Sequence, residues 1–171
     1  MHVELNGDEW ILTDIGDVEW FMLVQLPDAA DASRSERGRS RLFPDVTDAT
    51  AHPEVCDDWK QFVQPEIEDR FSREVQIVTE DLSRAEETQA GRSKELRHRL
   101  SIPLTHAETW YSVLNQARLI LNEEHEIAGT ERQLLSGSRH PSEIDEQKWL
   151  LLVQYRVYAA IQEFLLRELM E

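Results

Sequence analysis

The sequence predicts a mainly α (all-α class) protein, a helical bundle that carries a small N-terminal β-hairpin, and three observations predict it. Over 54–82, 105–127 and 142 to near the C-terminus, apolar residues recur at steps of three and four, the period of a helix with one buried face. Two of these stretches open on side chains able to satisfy free amide groups at a helix start: Thr105-His106-Ala107-Glu108, and Ser142 with Asp145 three residues on. Near the start, Val3-Glu4-Leu5 and Trp10-Ile11-Leu12 flank Asn6-Gly7-Asp8-Glu9, and Asn-Gly favours a tight hairpin turn because both residues tolerate positive φ. The chain of 171 residues reads as one domain over 1–171, of a size that buries roughly 70% of its unfolded surface.

In chain order, the hairpin occupies 1–13. A short helix follows, capped by Asp14, with the apolar run Val18, Trp20, Phe21, Met22, Leu23, Val24 and Leu26 stopped by Pro27. Residues 28–53 hold only Leu42, Phe43 and Val46 as large apolar groups and read as a long loop with one anchoring point; such loops are functional or disordered. The stripe Val55, Trp59, Phe62, Val63, Ile67, Phe71, Val75, Val78 and Leu82 keeps its phase across Pro65, so one kinked helix is favoured over two. The polar stretch 86–99, with Gly91, reads as a frayed end and a linker. The helix opened at Thr105 runs to about Ile127, and 130–136 can add one turn. The last helix is apolar on most sides, the pattern of a central helix packed on several neighbours.

Charge excludes some partners. With 34 acidic against 18 basic residues the net charge is -16, a field that repels phosphate backbones and anionic lipid headgroups. No nucleic acid and no membrane surface is therefore expected as a partner. The basic runs Arg34, Arg37, Arg39, Arg41 and Arg92, Lys94, Arg97, Arg99 read as solvated loop. Cys56 is the single cysteine, which rules out an internal disulfide and fits a reducing, cytoplasmic setting. The N-terminus does not read as a secretory signal, and the apolar segment Trp149 to Leu166 is broken by Arg156 and Glu163, which suits a buried helix rather than a membrane span.

The chemistry-bearing candidates are few. Asn115 and Arg118 lie three apart in the apolar stretch 110–122 and share a helix face. An arginine buried without a partner would cost several kcal/mol; Glu163 is the acid set deepest in apolar sequence and so its expected partner, with Gln162 or Tyr155 completing the network. Two readings stay open: a polar cluster that locks neighbouring helices, or a cleft in which Arg118 receives a ligand carboxylate or phosphate. In the turn Glu123-Glu124-His125-Glu126, acids oppose the helix dipole, so compensation is expected from Arg132 or Arg139 folding back, or from a divalent cation or a basic partner surface. No His-Glu-x-x-His, di-iron Glu-x-x-His pair, glycine-rich phosphate loop or Gly-x-Ser-x-Gly elbow is present. His106-Ala107-Glu108 lacks the cysteine pair of the zinc deaminases. Catalytic residues, metal and cofactor are each expected to be none.

Three blocks stand in order along the chain: Arg41-Leu42-Phe43-Pro44 ahead of the long helix; Pro103-Leu104, then Trp110, Leu114-Asn115, Arg118-Leu119 and Leu121; and Tyr155 with Gln162-Glu163 in the last helix. In these the chain resembles a bacterial family, the domain of unknown function numbered twenty-seventeen, over nearly its whole length. The resemblance implies an all-helical, cytoplasmic protein with no assigned activity, often encoded beside the adaptor of the Clp protease. The chain departs from the pattern at Asn122-Glu123-Glu124-His125-Glu126, where glycine or basic residues are usual.

The functional expectation is a non-enzymatic protein-interaction or regulatory module with a protein partner, accessory to Clp-type proteolysis if the family neighbourhood holds, and a homo-oligomer is compatible with it. Trp20, Phe43 and Trp59 are the candidate interface anchors. The rival expectation is a small-ligand or metal-binding domain built around Arg118, Asn115 and the acidic turn 123–126.

Overall fold

The computed structural model describes the backbone of residues 1–90 and 95–170 and the side chains of 1–88 and 96–167. The fold is mainly α, and the N-terminal hairpin is present: β1 (His2–Asn6) pairs antiparallel with β2 (Glu9–Ile15). Asn6 faces Glu9, so the two loop residues are Gly7 and Asp8, and only Gly7 has positive φ, at 63°. Positive φ at the first loop position alone is the II′ pattern, so the turn uses Gly-Asp rather than Asn-Gly.

The hairpin is half of a larger sheet. β3 (Glu86–Ala90) and β4 (Glu95–Pro103) form a second antiparallel pair, and the sheet order is β1-β2-β4-β3. This corrects the expectation of a frayed end and linker over 86–99; the Gly91, Arg92 and Lys94 of that stretch lie outside the described residues. His98, Leu100 and Ile102 point inward at period two, while Arg97 and Arg99 reach cross-strand acids, Asp14 at 3.3 Å and Glu86 at 3.5 Å. Between Leu12 and Ile15 the register with β4 shifts, and Asp14 adopts φ 53°. Asp14 is thus a bulge residue rather than a helix cap, and the extra residue turns Ile15 back into the core beside Trp10 and Leu12.

Helices α1 (Asp17–Val24) and α2 (Leu26–Ala30) follow the sheet. Glu19 reaches back to accept from the Gly16 amide at 2.7 Å and closes the start of α1. The expected long loop at 28–53 is largely helical: α2 extends to Ala30, and α3 (Glu36–Leu42) is capped by Ser35 Oγ, which accepts from Gly38 N at 3.1 Å. The first basic run is therefore mostly helix, and 43–52 alone remains irregular.

The stripe across Pro65 is one continuous helical path. α4 (Pro53–Asp58) passes through a π-helical turn at Trp59–Val63 into α5 (Gln64–Leu82). The Gln64 amide donates to Trp59 O, five residues back, so the wider turn precedes the proline and accommodates its ring without breaking the phase.

α6 (Ala107–His125) starts two residues later than the Thr105 box suggested, after a 3₁₀ turn, and no side chain caps it. α7 (Ile127–Leu135) and α8 (Glu146–Met170) complete the order. Asp145 caps α8 by accepting from Lys148 N at 2.8 Å, a role expected of Ser142. The central helix is α6, which packs on α2, α3, α5, α7 and α8; α8 was expected there, yet it leaves Trp149, Leu150 and Leu166 exposed. Trp110, Val113, Leu114, Ala117 and Leu121 of α6 meet Trp10 and Leu100 of the sheet and Tyr158 and Ile161 of α8 in one core. No helix among the described residues is long and apolar enough to cross a membrane.

Candidate functional site

Two polar assemblies meet on α6, and each leaves one buried polar atom without a hydrogen-bond partner, Arg118 Nε in the first and Gln116 Oε1 in the second. The first holds Arg118. Its Nη1 donates to Gln162 Oε1 at 2.5 Å and its Nη2 to Tyr155 Oη at 3.0 Å, and the guanidinium carbon lies 4.5 Å from the Tyr155 ring centroid. Gln162, buried, passes the contact on by donating through Nε2 to the Tyr111 carbonyl at 3.1 Å. Both ends of the guanidinium fork are thus filled by α8, with the ring face supplying further attraction.

Glu163 is not the partner. It is 76% exposed and meets Arg167 at 3.5 Å, because one position beyond Gln162 an α-helix has turned about 100° away from α6. Asn115 is exposed and stands outside the network. Of the expected cluster the structure brings together Arg118, Gln162 and Tyr155, and leaves Asn115 and Glu163 out. The expected cleft for a ligand anion is occupied by these α8 side chains.

The second assembly lies beside a cavity. Gln116, 2% exposed, donates through Nε2 to Glu74 Oε2 at 3.0 Å and to Ser112 Oγ at 3.2 Å, and Ser112 in turn donates to Glu74 Oε2 at 2.6 Å. A carboxylate only accepts, so the amide orientation is fixed. Gln116 Oε1 is consequently left buried and without a hydrogen-bond partner. Gln116 lines a cavity of about 360 Å³ between α2, α3, α5 and α6. Leu42, Phe43, Phe71 and Val75 give it apolar walls, and Asp28, Asp31, Glu68 and Arg39 stand among its polar lining. Arg39 is paired with Glu68, its guanidinium carbon 5.8 Å from the Phe43 ring centroid, and Phe43 packs on Phe71 at 5.7 Å. The signal that could have revealed this site is helical spacing: Gln116 stands one turn from Val113 and from Ile120, both buried, and is itself a buried polar residue.

The expected interface anchors are placed differently. Trp20 is half-buried, stacked on His98 at 4.4 Å. Phe43 walls the cavity, and Trp59 is half-buried with its Nε1 buried. Phe21 and Phe62, near Trp20 and Trp59 in the chain, face outward instead.

At the acidic turn neither Arg132 nor Arg139 folds back; Arg139 donates to the Glu143 carbonyl at 3.2 Å. Compensation comes from the backbone. α7 begins at Ile127, directly after the acids, so its positive end faces the same turn, and Asn122 Oδ1 accepts from Ala128 N at 2.9 Å. Glu126 carries φ 52°, a left-handed conformation natural to glycine. No group of three or more His, Cys, Asp or Glu side chains able to hold a metal occurs among the described residues.

A third assembly was not foreseen. Asp81, fully buried at the end of α5, accepts from His106 Nδ1 at 2.9 Å, Trp110 Nε1 at 2.9 Å and Arg84 Nη1 at 3.2 Å. It fastens α5 to the start of α6, and its buried charge is met by three donors.

No curated protein and no solved structure matches this chain. Residues 8–169 match the family model described as Domain of unknown function (DUF2017), and the chain, with its Arg118 network and its α6-centred fold, belongs to that family.

Proposed function

We propose that this protein is a non-enzymatic helical domain that docks a partner protein on the outer ridge of α1. One observation carries the reading: Val18, Phe21 and Val24, spaced by three residues, are 60%, 55% and 52% exposed. A short helix whose inner face already fills the core through Met22 and Leu23 has no folding reason to keep three large apolar groups in water. Apolar surface that exceeds scattered single residues is what interfaces use. Asp17 borders the ridge, and the chain as a whole carries -16, so a partner with a basic rim fits it. A regulatory role, and the link to Clp-type proteolysis, come to this reading from the family resemblance alone.

A photo-crosslinking residue placed at position 21 of the full chain in its host cells tests the reading. It is expected to give one discrete adduct with a different protein, lost when Val18 and Val24 are both changed to Glu. No adduct, an adduct that survives those changes, or an adduct only with a second copy of this chain would overturn it.

A further inference from the structure

We propose that β1 is a docking edge for a second copy of this chain: two β1 strands pair antiparallel about a two-fold axis at Val3 and join their two sheets into one. The surface is a strand edge, not the α1 ridge, and neither reading needs the other.

The strand order β1-β2-β4-β3 leaves β1 at an edge of the sheet. Backbone groups alternate in direction along a strand, and the far side of β2 fixes the parity. Leu104 N donates to Asp8 O at 2.7 Å, so the even positions Asp8, Trp10 and Leu12 turn their backbone groups toward β4. The odd positions Glu9 and Ile11 then bond Asn6 and Glu4, their partners in β1. Val3 and Leu5 are left to direct their N–H and C=O groups off the open edge. A bare edge of this kind recruits another strand unless it is guarded. β1 is short, but it carries none of the other guards: no lysine, no proline and no bulge against β2. It has no inward-pointing charge either, since its inward residues are Val3 and Leu5, opposite Leu12 and Trp10, and Leu5 is exposed.

Register names the occupant. The free groups of Met1, Val3 and Leu5 must meet one another, so the axis of a symmetric pair can fall at any residue from His2 to Leu5. An axis at Glu4 sets the two Glu4 carboxylates against each other, and one at His2 or Leu5 leaves less of the strand paired. With the axis at Val3, His2 of each copy lies opposite Glu4 of the other on the outer face, an imidazole N–H against a carboxylate. On the inner face Leu5 lies opposite Met1, which packs on the core. The two Val3 residues exchange their backbone bonds, and each Leu5 N–H reaches the other copy's Met1 carbonyl, the Met1 amine being already held by Glu19 at 3.3 Å. The strand thus complements itself in charge and in hydrogen bonding together.

Sedimentation equilibrium and amide hydrogen exchange on the full chain, with nothing fused ahead of Met1, test this. The overall charge of -16 opposes self-association, so both are run at about 0.15 M salt, where charges more than about 8 Å apart are largely screened. A dimer is expected with a dissociation constant below about 1 mM. As it forms, exchange at Val3 and Leu5 should slow at least about tenfold, while Glu4, already bonded to Ile11, should change little. Val3→Pro should give a folded monomer, because the N–H it removes bonds nothing within the sheet; should that variant fail to fold, Leu5→Pro takes its place. His2→Glu and Glu4→Lys should each weaken the dimer by about tenfold, and an equimolar mixture of the two should recover it, each chain then meeting its opposite in the other. A chain that stays monomeric at about 1 mM, a dimer in which Val3 and Leu5 still exchange freely, a dimer that survives the proline, or a mixture that pairs no better than its parts would overturn the proposal.

Discussion

Arg118 shows how a charged side chain is housed without an opposite charge. Its partners are an amide oxygen, a phenol oxygen and a ring face, and among the described residues no acid forms an ion pair with it. A double-mutant cycle between Arg118→Met and Tyr155→Leu is therefore expected to give a coupling of about 1 kcal/mol. The same cycle between Arg118→Met and Glu163→Leu should give none, measured by chemical denaturation. Sequence could place Arg118, Gln162 and Tyr155 in one cluster because each sits in an apolar stretch that must face a neighbour. It could not choose between Gln162 and Glu163, adjacent residues whose directions differ by about 100° and whose exposure depends on how α8 is rotated. Tyr158 offers a pH prediction. Burial raises its phenol above the ordinary value of 10.0, partly offset by the Gln154 hydrogen bond. It also donates to the Met22 carbonyl at 2.8 Å. The folded value exceeds the unfolded one, so its contribution is fully present below the unfolded value and is lost as pH rises through the folded one. In an alkaline titration, Tyr158 should ionise together with loss of helical signal rather than before it. Tyr158→Phe, which leaves the Met22 carbonyl and Gln154 Nε2 unpaired, should lower stability at neutral pH by about 1–2 kcal/mol and reduce its decline at high pH.

At the scale of elements, α3 illustrates a competition between propensity and packing. Gly38 lies inside this helix, where replacement by Ala would ordinarily gain about 0.5–1 kcal/mol. An added Cβ, however, would stand 2.9 Å from Ile120 Cγ2 and 3.2 Å from Cγ1 on α6. Overpacking of that kind costs about 1–3 kcal/mol, so Gly38→Ala is expected to destabilise, and Ile120→Ala in the same chain should make the two losses sum to less than their separate values. The run Arg37-Gly38-Arg39-Ser40-Arg41 hid this helix, since its inward contact is made by a hydrogen atom and leaves no apolar mark in the sequence. β4 was hidden for another reason. Its inward row, His98, Leu100 and Ile102, has the strand period, but His98 shortens the apolar count to two and Arg97 and Arg99 draw the eye to charge. His98 is nonetheless an inner residue, with Trp20 stacked on its imidazole. The path through Pro65 was legible because a proline changes backbone geometry without shifting the stripe of side chains that the core needs. The cavity was the least legible feature, as four separate elements line it and no local pattern encodes a space.

For the molecule as a whole, charge decides more than pairing does. Exposed ion pairs such as Arg73 with Asp69 and Arg34 with Asp28 contribute about 0–1 kcal/mol each and weaken with salt. Against them stands an excess of acids amounting to -16, whose mutual repulsion also weakens with salt. The excess is the larger effect, so the thermal midpoint should rise as sodium chloride increases from about 0.01 M to about 1 M, over which the screening length falls from about 30 Å to about 3 Å. A calorimetric midpoint that falls over this range would mean that the ion pairs dominate.

The pairing of β2 with β4 places Trp10 opposite Ile102, about 90 residues later in the chain, a separation that slows closure. During synthesis the first hairpin must wait, one side of β2 bare, until most of the polypeptide has emerged. A waiting strand can join the wrong neighbour, so crowded nascent chains of this protein are where misassembly should begin.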